Sequence, residues 1–140
     1  MGGDELREML VLDIDETITS PNCKTRKCQL KHEKLVLDLL EYCENENIDV
    51  SINTARPAKS YHGISKKIRK KIESKPYCYR PSGSGSVPGY KNECMIQLSG
   101  KRKRRNVTLM DDRLDNCKAV KEHGFNAIHV SSKGLGITEN

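Results

Sequence analysis

Tryptophan is absent and phenylalanine occurs once, so aromatic rings cannot build the core of this chain. Packing must rest on Leu, Ile, Val and Met. No apolar run approaches the roughly 18 residues of a membrane span. The sequence has six cysteines but no Cys-x-x-Cys pair, and only Cys23 and Cys28 are close together. That spacing fits neither a zinc knuckle nor a disulfide framework. Cys43, Cys94 and Cys117 fall in helix-like patterns, where a thiol packs as a small hydrophobe. Residues 1–5 lack the cationic and apolar regions of a signal peptide. Leu6 stands where a myristoylation signal needs Ser or Thr. The expectation is a reduced, cytoplasmic protein. With 140 residues, the chain fits one domain over 1–140 with a real core. Apolar clusters recur between charged segments, which excludes extended disorder.

What the chain does have is concentrated near its start. The run Met9-Leu10-Val11-Leu12-Asp13-Ile14-Asp15-Glu16-Thr17 delivers two carboxylates to the end of a buried strand. In extended chain, residues i and i+2 point the same way, so Asp13 and Asp15 share one site. Two like charges that close need a cation, a shared proton or phosphate chemistry.

Apolar patterning places strands at 9–14, 48–53, 76–79, 106–110 and 125–130. Helices are expected at about 30–44, 58–71, 91–104 and 114–123, with a Gly/Ser loop over 81–89. Pro57 would open the second helix and Lys91 the third. Strands alternating with helices predict an α/β fold. It is a three-layer, Rossmann-like sandwich with a mainly parallel sheet, helices on both faces and no sizeable cap domain. Ligands of such sheets sit beyond the carboxyl ends of the strands. Those ends here carry Asp13 and Asp15, then Thr54 and Arg56, then Asp111 and Asp112. Carboxylates in one crevice call for a hard cation, and Mg²⁺ takes carboxylates together with phosphate oxygens.

The set Asp13-x-Asp15-x-Thr17, Thr54, a lysine and Asp111-Asp112, in this order, resembles the haloacid dehalogenase (HAD) superfamily of phosphohydrolases. The resemblance runs from about residue 9 to 130. It implies a Mg²⁺-dependent phosphatase with Asp13 as nucleophile and Asp15 as general acid/base. Thr54 and Lys91 would bind phosphate. Asp13, the Asp15 carbonyl and Asp112 would hold the metal, with Asp111, Asp115 or Asn116 as further ligands or supports. Glu16 departs from the pattern, since many members carry Gly there.

The substrate is left open among a nucleotide, a nucleic-acid end and a phosphoprotein. The net charge of +6 suggests an alternative, a non-catalytic basic module that binds nucleic acid or a protein partner. The runs Lys66–Lys71 and Lys101–Arg105 are expected at helix C-termini, on the far side from the site, where the helix dipole favours cations. No heptad pattern or unexplained apolar stripe appears, so oligomeric state is not fixed by the sequence.

Overall fold

The computed structural model describes residues 6–19, 23–81 and 85–130. Pro21 and Asn22 of the first polar loop, and residues 82–84 of the Gly/Ser loop, lie outside the described residues. The elements are β1 (Met9–Leu12), α1 (Arg26–Asn45), β2 (Asp49–Asn53), α2 (Lys66–Ile72), β3 (Tyr77–Cys78), α3 (Val87–Ser99), β4 (Val107–Asp111), α4 (Leu114–Glu122) and β5 (Asn126–His129). All strand pairs are parallel, in the order β3-β2-β1-β4-β5. This is the expected α/β sandwich, and among the described residues no segment forms a large cap.

Strand alternation divides the core in two. Leu10 and Leu12 of β1 pack with Val36 and Leu40 of α1 and with Ile68 and Ile72 of α2. Met9 and Val11 face the opposite way, towards Met95 of α3 and Val120 of α4. Two helices therefore cover each face. The chain reverses direction across the sheet between β1 and β4, where Leu12 lies opposite Met110. At that reversal the crossover loops diverge and leave a crevice at the strand ends.

Three elements differ from the sequence reading. Helix α1 starts earlier, because Thr25 accepts a hydrogen bond from the Cys28 N–H (3.1 Å) and caps it. The second helix does not begin after Pro57. Residues 58–65 form a loop held by Ser60, whose N–H donates to Tyr77 Oη (3.1 Å) and whose carbonyl accepts from Arg56 Nη1 (3.2 Å). Gly63 adopts φ +81 in this loop, a conformation that interrupts a helix. Ser65 then caps α2. Lys66 and Lys67 thus stand in its first turn rather than near its end. Lys71 lies at the opposite end of the strands, in a cavity shared with Asp49 and Arg102.

Helix α3 also starts earlier. Ser86 accepts from the Gly89 N–H (3.2 Å), Pro88 occupies the first turn, and Gly100 follows the last residue at φ +57. Lys91 falls in the second turn instead of opening the helix.

The cysteines depart from the expectation of free thiols. Cys23 is bonded to Cys28, and Cys78 to Cys94, with Cα separations of 5.4 and 5.9 Å. Only the fold brings residues 78 and 94 within bonding reach, which sequence spacing does not reveal. Cys43 and Cys117 are buried free thiols, as expected. Among the described residues, no helix is long and apolar enough to cross a membrane.

Candidate active site

Residues after β1 turn sharply. The Asp13 N–H donates to the Met110 carbonyl (3.0 Å), carrying the sheet ladder one residue past the strand. Ile14–Ile18 then form a tight turn in which Glu16 takes φ +62. That left-handed geometry suits glycine, and it costs a glutamate about 1 kcal/mol. The Glu16 N–H is satisfied by Thr19 Oγ1 (2.9 Å).

His32 supports this turn from below. Its Nε2 lies 3.1 Å from the Thr17 carbonyl and 3.2 Å from that of Ile18. It is fully buried, and burial lowers its pKa despite the two carbonyls. Sequence reasoning did not single it out. The signal was present, because His32 sits on the buried stripe of α1 with Val36, Leu40 and Cys43.

Lys91 reaches the centre of the site. Only 1% exposed, its Nζ lies 2.7 Å from Asp13 Oδ1 and 3.0 Å from Asp111 Oδ2. It also donates to the Asn53 carbonyl (2.5 Å), while Asn53 Nδ2 donates back to the Lys91 carbonyl (3.0 Å). Burial alone would lower the Lys91 pKa, but the charges of Asp13 and Asp111 hold it above its ordinary value. Asn53 was not anticipated; its signal is a polar residue closing an otherwise apolar strand.

Asp13, Asp111 and Asp112 each offer an oxygen within 4.8 Å of the others. Burial, the charge of Asp111 and the proximity of Asp112 make this an electrostatically crowded group. Asp13 is raised above its ordinary value, chiefly by burial and against the attraction of Lys91. Asp112 is pushed up to about 8, first by burial and then by its hydrogen bond with Asp13 and the charges of Asp13 and Asp111. One lysine cannot neutralise three carboxylates, so a hard divalent cation fits this donor set.

The remaining expected residues divide. Asp111 is fully buried, accepting from the Arg113 N–H (2.8 Å) and from Asn116 Nδ2 (3.2 Å). Asn116 therefore orients Asp111. Asp115 does not reach the cluster. It is exposed and paired with Arg113 (2.6 Å). Thr54 is buried beyond β2, where its Oγ1 accepts from the Arg56 N–H (3.1 Å), leaving its own hydrogen to donate. Thr17 Oγ1 makes a long contact, 3.4 Å, to Asp13 Oδ2.

The Asp15 side chain turns away from the three carboxylates. It is 61% exposed, and Arg56 grips both oxygens, at 3.1 Å from Nε and 2.9 Å from Nη2. A hollow of about 350 Å³ opens beside this pair, lined also by Ser60 and His62. The arrangement thus separates a buried carboxylate beside a lysine from an exposed carboxylate beside an arginine.

No protein-family model matches the sequence, and no curated protein matches it. Solved structures do. An uncharacterized protein from Corynebacterium glutamicum superposes with a TM-score of 0.63 at 10% identity, over 89% of this chain and 85% of that one. A HAD family enzyme from Bacteroides thetaiotaomicron, in complex with magnesium and inorganic phosphate, superposes with a TM-score of 0.54 at 12% identity, over 94% and 98%. Shared topology at such low identity speaks to architecture, and chemistry must be argued from the site itself. The chain therefore shares its fold with that HAD family enzyme.

Proposed function

We propose that this chain is a Mg²⁺-dependent phosphatase that hydrolyses a phosphomonoester through an aspartyl-phosphate on Asp13. The observation that carries this reading is the placement of the Lys91 ammonium between Asp13 and Asp111, with Asp112 alongside, at the crevice between β1 and β4. Such a site neutralises a phosphoryl group while keeping a carboxylate within reach of it.

In the first step an Asp13 oxygen attacks phosphorus, and the bond from phosphorus to the leaving oxygen breaks. Asp15 gives that oxygen its proton. In the second step Asp15 takes a proton from water, whose oxygen displaces Asp13 and releases phosphate. Lys91 and Thr54 hold the phosphoryl oxygens throughout. Asp13, the Asp15 carbonyl and Asp112 would hold Mg²⁺, which lowers the repulsion between carboxylate and phosphate. Asp111 and Asn116 keep Lys91 in place. Exposure of Asp15 suits a proton shuttle that must meet both a leaving group and water.

The test is release of phosphate from a generic aryl phosphate with Mg²⁺ or with chelator, beside an Asp13→Asn variant. Wild type should turn over only with Mg²⁺, and the variant should lose at least about 10³-fold. Undiminished turnover by Asp13→Asn would exclude the nucleophile. No turnover by wild type on aryl or nucleotide phosphates would favour a non-catalytic basic module.

A further inference from the structure

Beside the catalytic turn runs a second depression, about 610 Å³, between the first turns of α1 and α2. Arg26, Lys66 and Lys67 line it, with Thr19 and Gly63 at its near end. It abuts the turn that follows β1, because Ile18 and Thr19 line it. Gly63 also approaches Thr19, the residue that closes the catalytic turn.

The charges in this groove are in unfavourable places. Arg26 stands in the first turn of α1 and Lys66 and Lys67 in the first turn of α2, and neither turn contains an acidic residue. A helix N-terminus disfavours cations. Among the described residues, none of the three has an acidic group within ion-pairing distance. All three are exposed. Among the described residues, Glu33 is the one acidic lining residue. Unpaired cations gathered where the local field opposes them are suited to an anion that arrives from outside.

A row of rings begins beside the Arg56–Ser60 segment, where Tyr77 Oη donates to the Ser60 carbonyl (2.9 Å). Tyr61 and Tyr77 meet edge to face at 5.7 Å, and Tyr77 and Tyr79 lie 6.2 Å apart. Tyr79, 39% exposed, follows β3 at the edge of the sheet that bears the site. Cations in a groove together with an exposed ring match the repeating phosphates and bases of a single strand. An acidic peptide would use the cations and not the ring.

We propose that the groove of Arg26, Lys66 and Lys67 carries the phosphodiester backbone of an oligonucleotide whose terminal phosphate is the substrate at Asp13. The terminal-phosphate half of this inference rests on the phosphatase reading; the groove half does not.

The experiment uses the full chain and short single-stranded oligonucleotides phosphorylated at the 5′ or the 3′ end. Binding is read by fluorescence anisotropy and turnover by phosphate release, with an aryl phosphate as the small control. Lys66→Glu/Lys67→Glu should lower kcat/KM for the oligonucleotide at least about tenfold, mainly through KM, and leave aryl phosphate turnover within about twofold. The slope of log affinity against log salt should fall by about 1.4, or 0.7 per lost phosphate contact. Arg26→Glu, on the facing helix, should act in the same direction and covers the case in which the double variant misfolds.

Hydrolysis of aryl phosphate without oligonucleotide binding would overturn the groove and leave the phosphatase reading intact. Salt-dependent binding that needs Lys66 and Lys67, without turnover of any phosphate, would overturn the terminal-phosphate half alone. Preference for a phosphorylated acidic peptide over the oligonucleotide would also overturn the proposal, as would equal losses on large and small substrates.

Discussion

Lys91 Nζ lies 2.7 Å from Asp13 Oδ1, although the two residues are far apart in sequence and neither is exposed. The lysine is the cation that makes a buried pair of carboxylates, Asp13 and Asp111, tolerable. Taking away one partner of a buried ion pair leaves an uncompensated charge, a loss of about 3–5 kcal/mol. Lys91→Met should therefore lower stability in chelator by about that amount, besides abolishing phosphate release. Urea denaturation followed by circular dichroism measures it. A loss below about 1 kcal/mol would mean that the carboxylates find compensation elsewhere.

Asp112 gives the metal-free protein a characteristic pH dependence. Its folded pKa of about 8 lies above the ordinary 3.8, so the folded protein keeps a proton that the unfolded chain releases. The stability this contributes is fully present below about pH 4 and is lost as pH rises through about 8. His32 acts in the opposite sense below about 6.5, since burial lowers its pKa. Between about pH 6.5 and 8, stability in chelator should therefore fall. Mg²⁺ should flatten that slope by stabilising the ionised carboxylates, and Asp112→Asn should reduce it, leaving the share of Asp13, which burial also raises. Urea titrations across this window, with Mg²⁺ and with chelator, give the answer. A slope that survives undiminished in Asp112→Asn would assign it to another group.

His32 connects α1 to the turn at Ile14–Ile18 through the Thr17 and Ile18 carbonyls. His32→Ala leaves both without that donor, an expected loss of about 2 kcal/mol. The turn positions Asp15, so kcat on aryl phosphate should fall more than KM rises. His32→Gln, which retains an N–H donor, should recover part of both. If kcat in His32→Ala equals that of wild type, His32 serves packing alone.

Cys78 and Cys94 join the end of β3 to α3, the helix that carries Lys91. Closing a loop of this length is worth about 3 kcal/mol against the unfolded chain. Cys78→Ser/Cys94→Ser should lose about that much stability. Alkylation of the unfolded protein before reduction, read by mass spectrometry, should label Cys43 and Cys117 alone. Labelling of Cys94 would show a thiol at that position.

The sequence by itself determined the strands, their alternation with helices, and the acidic residues at their carboxyl ends. Strand register is periodic and local, so Leu10 and Leu12 against Met9 and Val11 already divide the core. It also drew attention to Asp13, Asp15, Thr54, Lys91, Asp111 and Asp112. Tertiary structure decided how those residues are partnered. Asp15 lies against Arg56 because a loop from β2 passes that way, and Asp115 stays on the surface with Arg113. Asn53 and His32 enter the site through hydrogen bonds to distant backbone, which no local pattern encodes. Helix starts were misread where a capping serine, Ser65 or Ser86, outweighed the proline or lysine nearby. The start of α2 changes the most, since it moves Lys66 and Lys67 from the far end of the strands to the groove beside the turn that follows β1. Local chemistry fixes which groups a chain carries, and only long-range packing fixes which of them meet.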